Sequence, residues 1–152
     1  MAYVKSQGTE IFYVSAPTVV TKIAQVVELP EAGGGPADEI EVTHLDSAMK
    51  EFIAGLSDNT PITFPVRFDP ALHTALWTLK NSGLVEPIMI SFADGTGTPT
   101  AAAGAFAALS TRSNLRGQAF VQNFTWNNPA NSVLNSTVTL RPTGLFTFTA
   151  KA

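Results

Sequence analysis

The strongest constraint on the fold comes from residues 61–68, an alternating segment that runs directly into a helix signal. Alternation of apolar and polar side chains is typical of a strand with one buried face, since successive side chains point to opposite sides. The segment therefore predicts a half-buried strand whose second face meets something polar. The apolar face comprises Ile62, Phe64, Val66 and Phe68, and the other face comprises Thr63, Pro65 and Arg67.

A helix over residues 70–82 is predicted directly after this strand. Asp69 is suited to cap the helix, and Pro70 fits the first helical position, where no backbone N–H is needed. Gly83 can adopt the left-handed conformation that ends a helix. The apolar side chains that recur at helical spacing predict the packed face of the helix: Leu72, Ala75, Leu76 and Leu79.

Further strands are predicted at residues 11–13, 19–29, 40–45, 84–93, 117–126, 133–141 and 145–149, which are rich in β-branched and aromatic residues. Residues 46–53 fit either a short capped helix or an irregular crossing, and residues 55–59 fit a polar loop. Residues 94–114 are predicted as a flexible surface loop rich in Gly, Ala and Thr. The fold class is α+β, mainly β: an antiparallel β-sandwich or partly open barrel with one flanking helix, in a single domain 1–152.

The last long strands also alternate, and this predicts which side chains share a face. In residues 117–126 the large aromatic side chains are assigned to one face and small or polar ones to the other. In residues 133–141 the apolar residues likewise oppose a polar row. The predicted apolar faces are Phe120, Phe124 and Trp126, then Leu134, Val138 and Leu140; the opposite faces are Ala119, Asn123 and Thr125, then Asn135, Thr137, Thr139 and Arg141.

Composition excludes several classes of function. Only 14% of the residues are charged and the formal net charge is −3, so nucleic-acid binding by counterion release, which needs clustered Lys and Arg, is disfavoured. No cysteine, secretory signal or run of about twenty apolar residues is present. The sequence thus favours synthesis in a cytoplasm and no membrane contact. A surface so poor in charge fits a protein partly covered by other subunits, or an extracellular β-protein.

The two histidines do not point to catalysis or to a metal or cofactor. His73 lies beside Leu72 on the predicted helix and is expected to be half-exposed, and His44 lies near Glu41 and Asp46. A metal site needs converging ligands, and a Ser-His-Asp triad needs a serine in a strand-turn-helix elbow, which this chain lacks. The protein is therefore predicted not to be an enzyme.

Acidic residues concentrate between positions 38 and 58, where half of the 12 acids of the chain lie. One interpretation is a solvated loop. The other is an acidic rim that meets cations of a neighbouring subunit, for which the candidates are Lys50, Arg67, Arg112, Arg116 and Arg141. The acids themselves are Asp38, Glu39, Glu41, Asp46, Glu51 and Asp58.

Residues 39–83, which read EIEVTHLDSAMKEFIAGLSDNTPITFPVRFDPALHTALWTLKNSG, resemble the major tail tube proteins of long, non-contractile-tailed bacteriophages related to phage lambda. The shared pattern is an acidic, Thr-containing crossing, a Gly-containing turn, a strand and a helix of the form Pro-x-x-His/Gln-x-x-Leu. Residues 116–124 resemble the Gly-led strand of the family, and residues 135–144 resemble its closing Thr-Val-x-Leu segment. The resemblance extends over most of the chain from about residue 19, and the order of the elements carries it.

The resemblance implies a structural virion protein that assembles as hexameric rings, which stack into the tail tube, the conduit for DNA ejection. Implied partners are further copies of the chain, the tape measure protein, the tail terminator and tail-tip proteins, whereas phage DNA passes without specific binding. The tube would lie in the virion after synthesis in the host bacterial cytoplasm. The implied channel-facing residues are Thr63, Arg67, Asn123, Thr125, Thr137 and Thr139; the implied inter-subunit residues, mostly in the crossing 38–59, are Asp38, Glu39, Glu41, His44, Asp46, Lys50, Glu51, Arg116 and Arg141.

Two arginines depart from a weakly polar channel, and we expect Arg67 and Arg141 to pair with acids or to lie near a ring junction. Two alternatives of other classes stay open. One is a monomeric β-sandwich that binds a carbohydrate or small ligand through exposed Tyr13, Trp77 and Trp126. The other is a different ring-forming component, such as a tail terminator or a secretion-system tube protein.

Overall fold

Six antiparallel strands form the main sheet of the computed structural model, which describes residues 3–29, 31–32 and 34–152. Two separate hairpins and one helix, α1 (Pro70–Ser82), complete the described elements. The hairpins are β3 (Ala37–Glu41) with β4 (Phe52–Ser57), and β7 (Ala101–Ala102) with β8 (Ala105–Phe106). In spatial order the main sheet comprises β2 (Val19–Lys22), β1 (Glu10–Ala16), β6 (Glu86–Ser91), β9 (Asn114–Asn127), β10 (Asn135–Thr149) and β5 (Ile62–Arg67).

The two edge strands of this sheet are linked by the segment that follows β2. Val27 N donates to Pro65 O at 2.9 Å, and Arg67 N donates to Gln25 O at 3.0 Å. Residues 19–29 were predicted as one strand, which is wrong, because β2 ends at Lys22 and Gln25 has a left-handed φ of 59°. The break lets the chain leave β1 and pair with β5, so the sheet curls into a partly open barrel.

The core lies inside this curled sheet and confirms the face prediction for residues 61–68. Ile62, Phe64 and Val66 are fully buried, and they meet Val138 and Leu140 of the neighbouring strand. The prediction for residues 133–141 is also confirmed, since side chains 136, 138, 140 and 142 are the buried ones. A single strand, β10, replaces the two that were predicted, because pairing with β9 resumes beyond a register shift between Thr143 and Thr147.

A bulge in β9 overturns the predicted faces of residues 117–126. Leu140 pairs with Val121 whereas Thr139 pairs with Asn123, so Gln122 is an extra residue that reverses the alternation. Ala119 and Val121 therefore join Phe124 in the core, and Phe120 lies on the opposite face. Simple alternation cannot reveal such a reversal.

The predicted helix has the expected ends. The Asp69 side chain accepts a hydrogen bond from Ala71 N at 2.9 Å, and Gly83 ends the helix with a φ of 67°. The packed face differs, since Leu72 is exposed whereas His73 and Leu76 are the buried residues. The prediction of a half-exposed His73 is thus wrong.

Two hydrogen bonds explain the burial of His73. Its Nδ1 accepts from Asp69 N at 3.0 Å, which leaves the proton on Nε2, and Nε2 donates to Ala24 O at 2.8 Å. The ring also stacks on Phe68. His73 therefore ties the start of the helix to the crossing that closes the barrel.

Replacing His73 by alanine is expected to lower the free energy of unfolding by about 2–4 kcal/mol, because it leaves buried hydrogen-bonding groups without partners and opens a cavity. Urea denaturation measures the loss. Leu72→Ala, at the exposed neighbouring position, is the control and should change stability little. Equal effects of the two substitutions would contradict the role given to His73.

Residues 94–114, predicted as a surface loop, contain the small hairpin β7–β8 and end in buried residues. Gly104 N donates to Pro17 O, and β8 contacts β6. Both faces of β1 and β6 are accordingly buried, including Phe12, Val14 and Met89 outside the main core. The small Ala side chains of this segment allow it to lie close to the strands.

Buried Arg112 fastens the end of this segment. Each of the five N–H groups of a guanidinium has an acceptor here, and together the acceptors connect four parts of the chain. Arg112 donates to the Glu10 carboxylate at 2.9 Å and to the backbone carbonyls of Gly8 (3.0 Å), Ser91 (3.0 Å), Phe92 (2.8 Å) and Gly97 (3.3 Å).

Acidification is expected to remove the stabilisation contributed by Glu10. One carboxylate oxygen lies 2.9 Å from Lys22 Nζ and the other 2.9 Å from Arg112 Nη1. Partial burial acts to raise the pKa of Glu10, but its bonds to Lys22 and Arg112 outweigh burial and hold the pKa below the ordinary value of 4.5. Because the pKa is lower in the folded state, this contribution is complete above about pH 4.5 and is lost as the pH falls through the folded-state pKa.

Glu10→Gln should therefore be less stable than the native protein at neutral pH, and the difference should shrink in acid. Urea denaturation at neutral pH and in acid measures the difference in the free energy of unfolding. Glu28→Gln is a suitable control, since Glu28 is exposed and its side chain has no hydrogen bond or salt bridge in the described part of the chain. A difference that stays constant with pH would contradict the ion-pair account.

Candidate assembly surfaces

A row of polar side chains covers the outer face of β5, β9 and β10. Residues that pair across neighbouring strands point to the same side. Thr139 pairs with Thr63 on one side and with Asn123 on the other, and Thr137 pairs with Thr125. The structure thus brings all six predicted channel-facing residues onto one surface, which we call the polar face: Thr63, Arg67, Asn123, Thr125, Thr137 and Thr139.

Hydrogen bonds within the polar face join its strands. The hydroxyls of Thr63 and Thr139 lie 3.3 Å apart, and Arg67 Nη1 donates to Asn135 Oδ1 at 2.7 Å. Arg67 therefore has an amide partner rather than the acid we expected, and no acid of the described residues forms a salt bridge with it. The face is otherwise made of hydroxyls and amides, which bind neither phosphate nor cations strongly.

Arg141 does pair with an acid, and the acid comes from the same chain. Its Nη2 donates to both oxygens of Asp58, at 2.8 and 3.0 Å. Close by, the Asn59 amide donates to Gly144 O, and a Cβ at Gly35 would lie 1.7 Å from Asp58 O. Glycine is therefore required at position 35, and these contacts hold both chain ends of the β3–β4 hairpin against the main sheet.

The β3–β4 hairpin replaces the crossing predicted at residues 38–59. Of the two alternatives for residues 46–53, the helix is wrong and the irregular crossing is confirmed up to residue 51, where no regular structure forms. The loop predicted for residues 55–59 is wrong up to Ser57, because β4 extends from Phe52 to Ser57. Every predicted inter-subunit residue of this segment is exposed. Those residues are Asp38, Glu39, Glu41, His44, Asp46, Lys50 and Glu51.

Glu51 is the acid of the hairpin that is held by local contacts. Its carboxylate accepts from Ser47 Oγ at 3.2 Å and lies 3.9 Å from His44 Nε2. These contacts connect the two ends of the loop between β3 and β4. They place His44 in the hairpin turn.

The hairpin also exposes large apolar side chains, which the sequence analysis did not identify. Leu45 and Leu56 are 104% and 86% exposed, and Met49 is 80% exposed. The sequence pattern was misleading here, because Ile40 and Val42 alternate as in a half-buried strand and the apolar residues from Leu45 to Leu56 recur at helical spacing, although residues 52–57 form an exposed strand. Apolar side chains on both faces of an isolated hairpin indicate a surface that is covered in an assembly. The others are Ile40, Val42, Phe52 and Ile53.

A match to a known protein family identifies the kind of protein that carries these surfaces. The family described as "Phage tail tube, TTP, lambda-like" matches residues 2–152. The chain is a member of this family. As a lambda-like phage tail tube protein, it is a structural protein of the virion that associates with itself to form the tail tube. Structural protein 3 of Pseudomonas phage PAJU2 is 27% identical to it, over 93% of this chain and 90% of the relative.

Solved structures have the same fold as this tail tube protein. The tail of the empty GTA particle gives a TM-score of 0.70 at 15% identity, over 97% of this chain and 100% of that chain. The SPP1 tail tube gives 0.66 at 10% identity, over 98% and 80%. The PVC sheath/tube terminator in the extended state gives 0.71 at 17% identity, over 99% of both chains. At these identities the likeness establishes the fold.

The aromatic residues do not form the exposed platform that a ligand-binding module would need. Tyr13 is buried, and Trp77 and Trp126 are 38% and 41% exposed. The rings of the two tryptophans pack on each other, with centroids 5.0 Å apart, and both contact Phe124. This tail tube protein uses them to fasten the helix to β9.

The arginines proposed as partners for a neighbour's acids fall into three environments. Arg112 is buried and fully bonded within its own chain, so it is unavailable. Arg141 is paired with Asp58, and Arg67 with Asn135. Arg116, on β9 opposite Met89, is half-buried and its side chain has no hydrogen bond or salt bridge within the described residues.

Neither a metal site nor a membrane-spanning helix is present among the described residues. Across residues 3–29, 31–32 and 34–152, no group of three or more His, Cys, Asp or Glu side chains is placed to hold a metal ion. Over the same residues, no helix has the length and apolarity required to cross a membrane.

Proposed function

We propose that this tail tube protein forms hexameric rings that stack into a DNA conduit, with the polar face toward the channel and the β3–β4 hairpin on a neighbouring subunit. The observation that carries the proposal is the hairpin, whose large apolar side chains have no cover within their own subunit. Burying such side chains between copies removes apolar area from water and supplies the driving force for assembly. The C6 symmetry in the description of the GTA tail supports the hexamer.

The chemistry of the polar face supports its position in the channel. DNA passing through the tube carries a dense row of phosphates, and clustered cations would hold it. Hydroxyls and amides offer no such attraction, Arg141 is neutralised by Asp58, and the one cation among the six residues of the polar face is Arg67, which donates to Asn135. We propose no enzymatic activity and no cofactor; the further partners are the tape measure protein, the tail terminator and tail-tip proteins, and synthesis takes place in the host bacterial cytoplasm.

Electron microscopy of the purified protein tests the assembly. At high concentration we expect six-fold rings and tubes by negative stain, together with fast-sedimenting species in the ultracentrifuge. Single six-fold rings that never stack would favour a terminator instead. A protein that stays monomeric at every concentration, also with tail initiation components added, would contradict the proposal.

Adding a cation to the polar face is expected to make the tube retain DNA. Thr137→Lys places one new charge per subunit on that face, and each ring repeats it. Tubes assembled with short duplex DNA should then hold DNA that is protected from nuclease, and more salt should release it. Thr78→Lys, on an exposed position of the helix, is the matched control and should protect none. Equal protection by both variants would show that the polar face does not line the channel.

A further inference from the structure

A groove of about 800 Å³ lies between residues 4–9 on one side and residues 26–29 and 32 on the other. Most of its lining is apolar, and several of these side chains belong to the core or pack against it. The groove therefore exposes part of the apolar layer that packs on the core, whereas the core residue Ile90 at its base is buried. Its apolar lining includes Val4, Val26, Val27, Leu29, Phe92 and Leu115.

The β3–β4 hairpin carries at its tip apolar side chains that complement the apolar groove. Leu45 and Met49 lie in the loop between β3 and β4, so two fully or nearly fully exposed apolar side chains stand at its tip. A groove of 800 Å³ has the size of sites that enclose a bound ligand and can take several side chains. One chain thus carries both an apolar projection and an apolar recess.

The charges of the two surfaces also match. The β3–β4 hairpin, residues 37–57, holds five acids and one lysine, Lys50, which lies beside Met49 at the tip. The charged residues in the groove lining are Lys5 and Glu28. A docked tip can place an acid against Lys5 and Lys50 against Glu28, so that charges of both signs are complemented.

The hairpin tip and the groove are different surfaces of the same chain, and this determines the symmetry of a contact between them. When two different patches of identical chains meet, the contact is heterologous and repeats from copy to copy, giving closed rings or open stacks. A tail tube protein needs contacts of this kind. We propose that the groove receives the tip of the β3–β4 hairpin, Leu45 to Lys50, from a second copy of the chain. The proposal rests on the proposed function and adds the acceptor surface for the hairpin.

Cysteine crosslinking tests this pairing, because the native chain contains no cysteine. Met49→Cys, at the tip, and Val27→Cys, in the groove, are purified separately, mixed before assembly and treated with a short bismaleimide. We expect a crosslinked dimer to form in the mixture roughly 100-fold faster than by chance collision, since docking raises the effective concentration of the two thiols. Neither variant alone should form it. Met49→Cys mixed with Leu84→Cys, an exposed position outside the groove lining, is the matched control.

The outcomes separate this inference from the proposed function. Tubes seen by microscopy without the Met49→Cys to Val27→Cys crosslink would overturn the groove as acceptor and leave tube assembly intact. The same crosslink yield with Leu84→Cys would also overturn it. The specific crosslink in small oligomers, in a preparation that never forms tubes, would support the groove and contradict the proposed assembly.

Discussion

Replacing Arg112 by alanine is expected to lower the free energy of unfolding by about 3–5 kcal/mol, the usual cost of removing one partner of a buried ion pair. The substitution leaves the Glu10 carboxylate with Lys22 as its remaining cation and removes the Arg112 donor from four backbone carbonyls. Such a loss is a large part of the stability of a single domain. We therefore expect the variant to be unfolded or only marginally folded.

Arg116→Ala is the matched control, because Arg116 is a half-buried arginine close in sequence whose side chain lacks these partners. Urea denaturation of both variants, with near-ultraviolet circular dichroism as the probe, measures the difference. Arg112→Lys should fall between them, since an ammonium group has three donors and no planar fork. If Arg112→Ala were as stable as Arg116→Ala, the buried guanidinium would not hold this end of the protein together.

A charged hairpin tip is expected to abolish tube assembly without unfolding the subunit. Leu45→Asp combined with Met49→Asp changes two side chains that are already exposed, so the free energy of unfolding should change by no more than about 0.5 kcal/mol per site. In an assembled contact the same carboxylates would be buried without partners, at a cost of several kcal/mol. The variant should sediment as a monomer at concentrations at which the native protein forms tubes.

Leu84→Asp combined with Val133→Asp serves as the control, since both native side chains are large, apolar and more than half exposed but lie outside the hairpin. This second variant should assemble. Thermal unfolding of both variants establishes that the subunits are folded. Normal tubes from the hairpin variant would show that the tip does not contact a neighbour.

The sequence predicted the structure wherever burial alone decides it. Residues 61–83 have one buried strand face, a cap at Asp69 and a stop at Gly83, and each of these features is found in the structure. Phe64 lies in the core because alternation places it there. The same rule gave the polar face, since Thr63, Thr137 and Thr139 are the side chains left on the other side.

The prediction failed where structure is decided by contacts remote in sequence. His73 is buried because a carbonyl from Ala24, 49 residues earlier, accepts a hydrogen bond from its Nε2. The bulge at Gln122 reverses a face without any local signal. Gln25 interrupts a run of apolar residues because closing the barrel requires a turn there.

The β3–β4 hairpin was missed for another reason. A strand is recognised by one buried face, and this hairpin buries neither face within its own subunit. Its acids were interpreted as the contact surface, whereas the apolar residues Leu45, Met49 and Leu56 are also highly exposed. The periodicity of a sequence reports burial within one chain. It cannot reveal a face that is covered by another copy.

A reconstruction of the assembled tube by electron cryo-microscopy, at a resolution that traces the strands, tests the central claim most directly. The account predicts that β5, β9 and β10 line the channel with Thr63, Thr137 and Thr139 toward its axis, and that each β3–β4 hairpin contacts another subunit. A tube in which the polar face points outward, or in which the hairpins project freely into solvent, would contradict it.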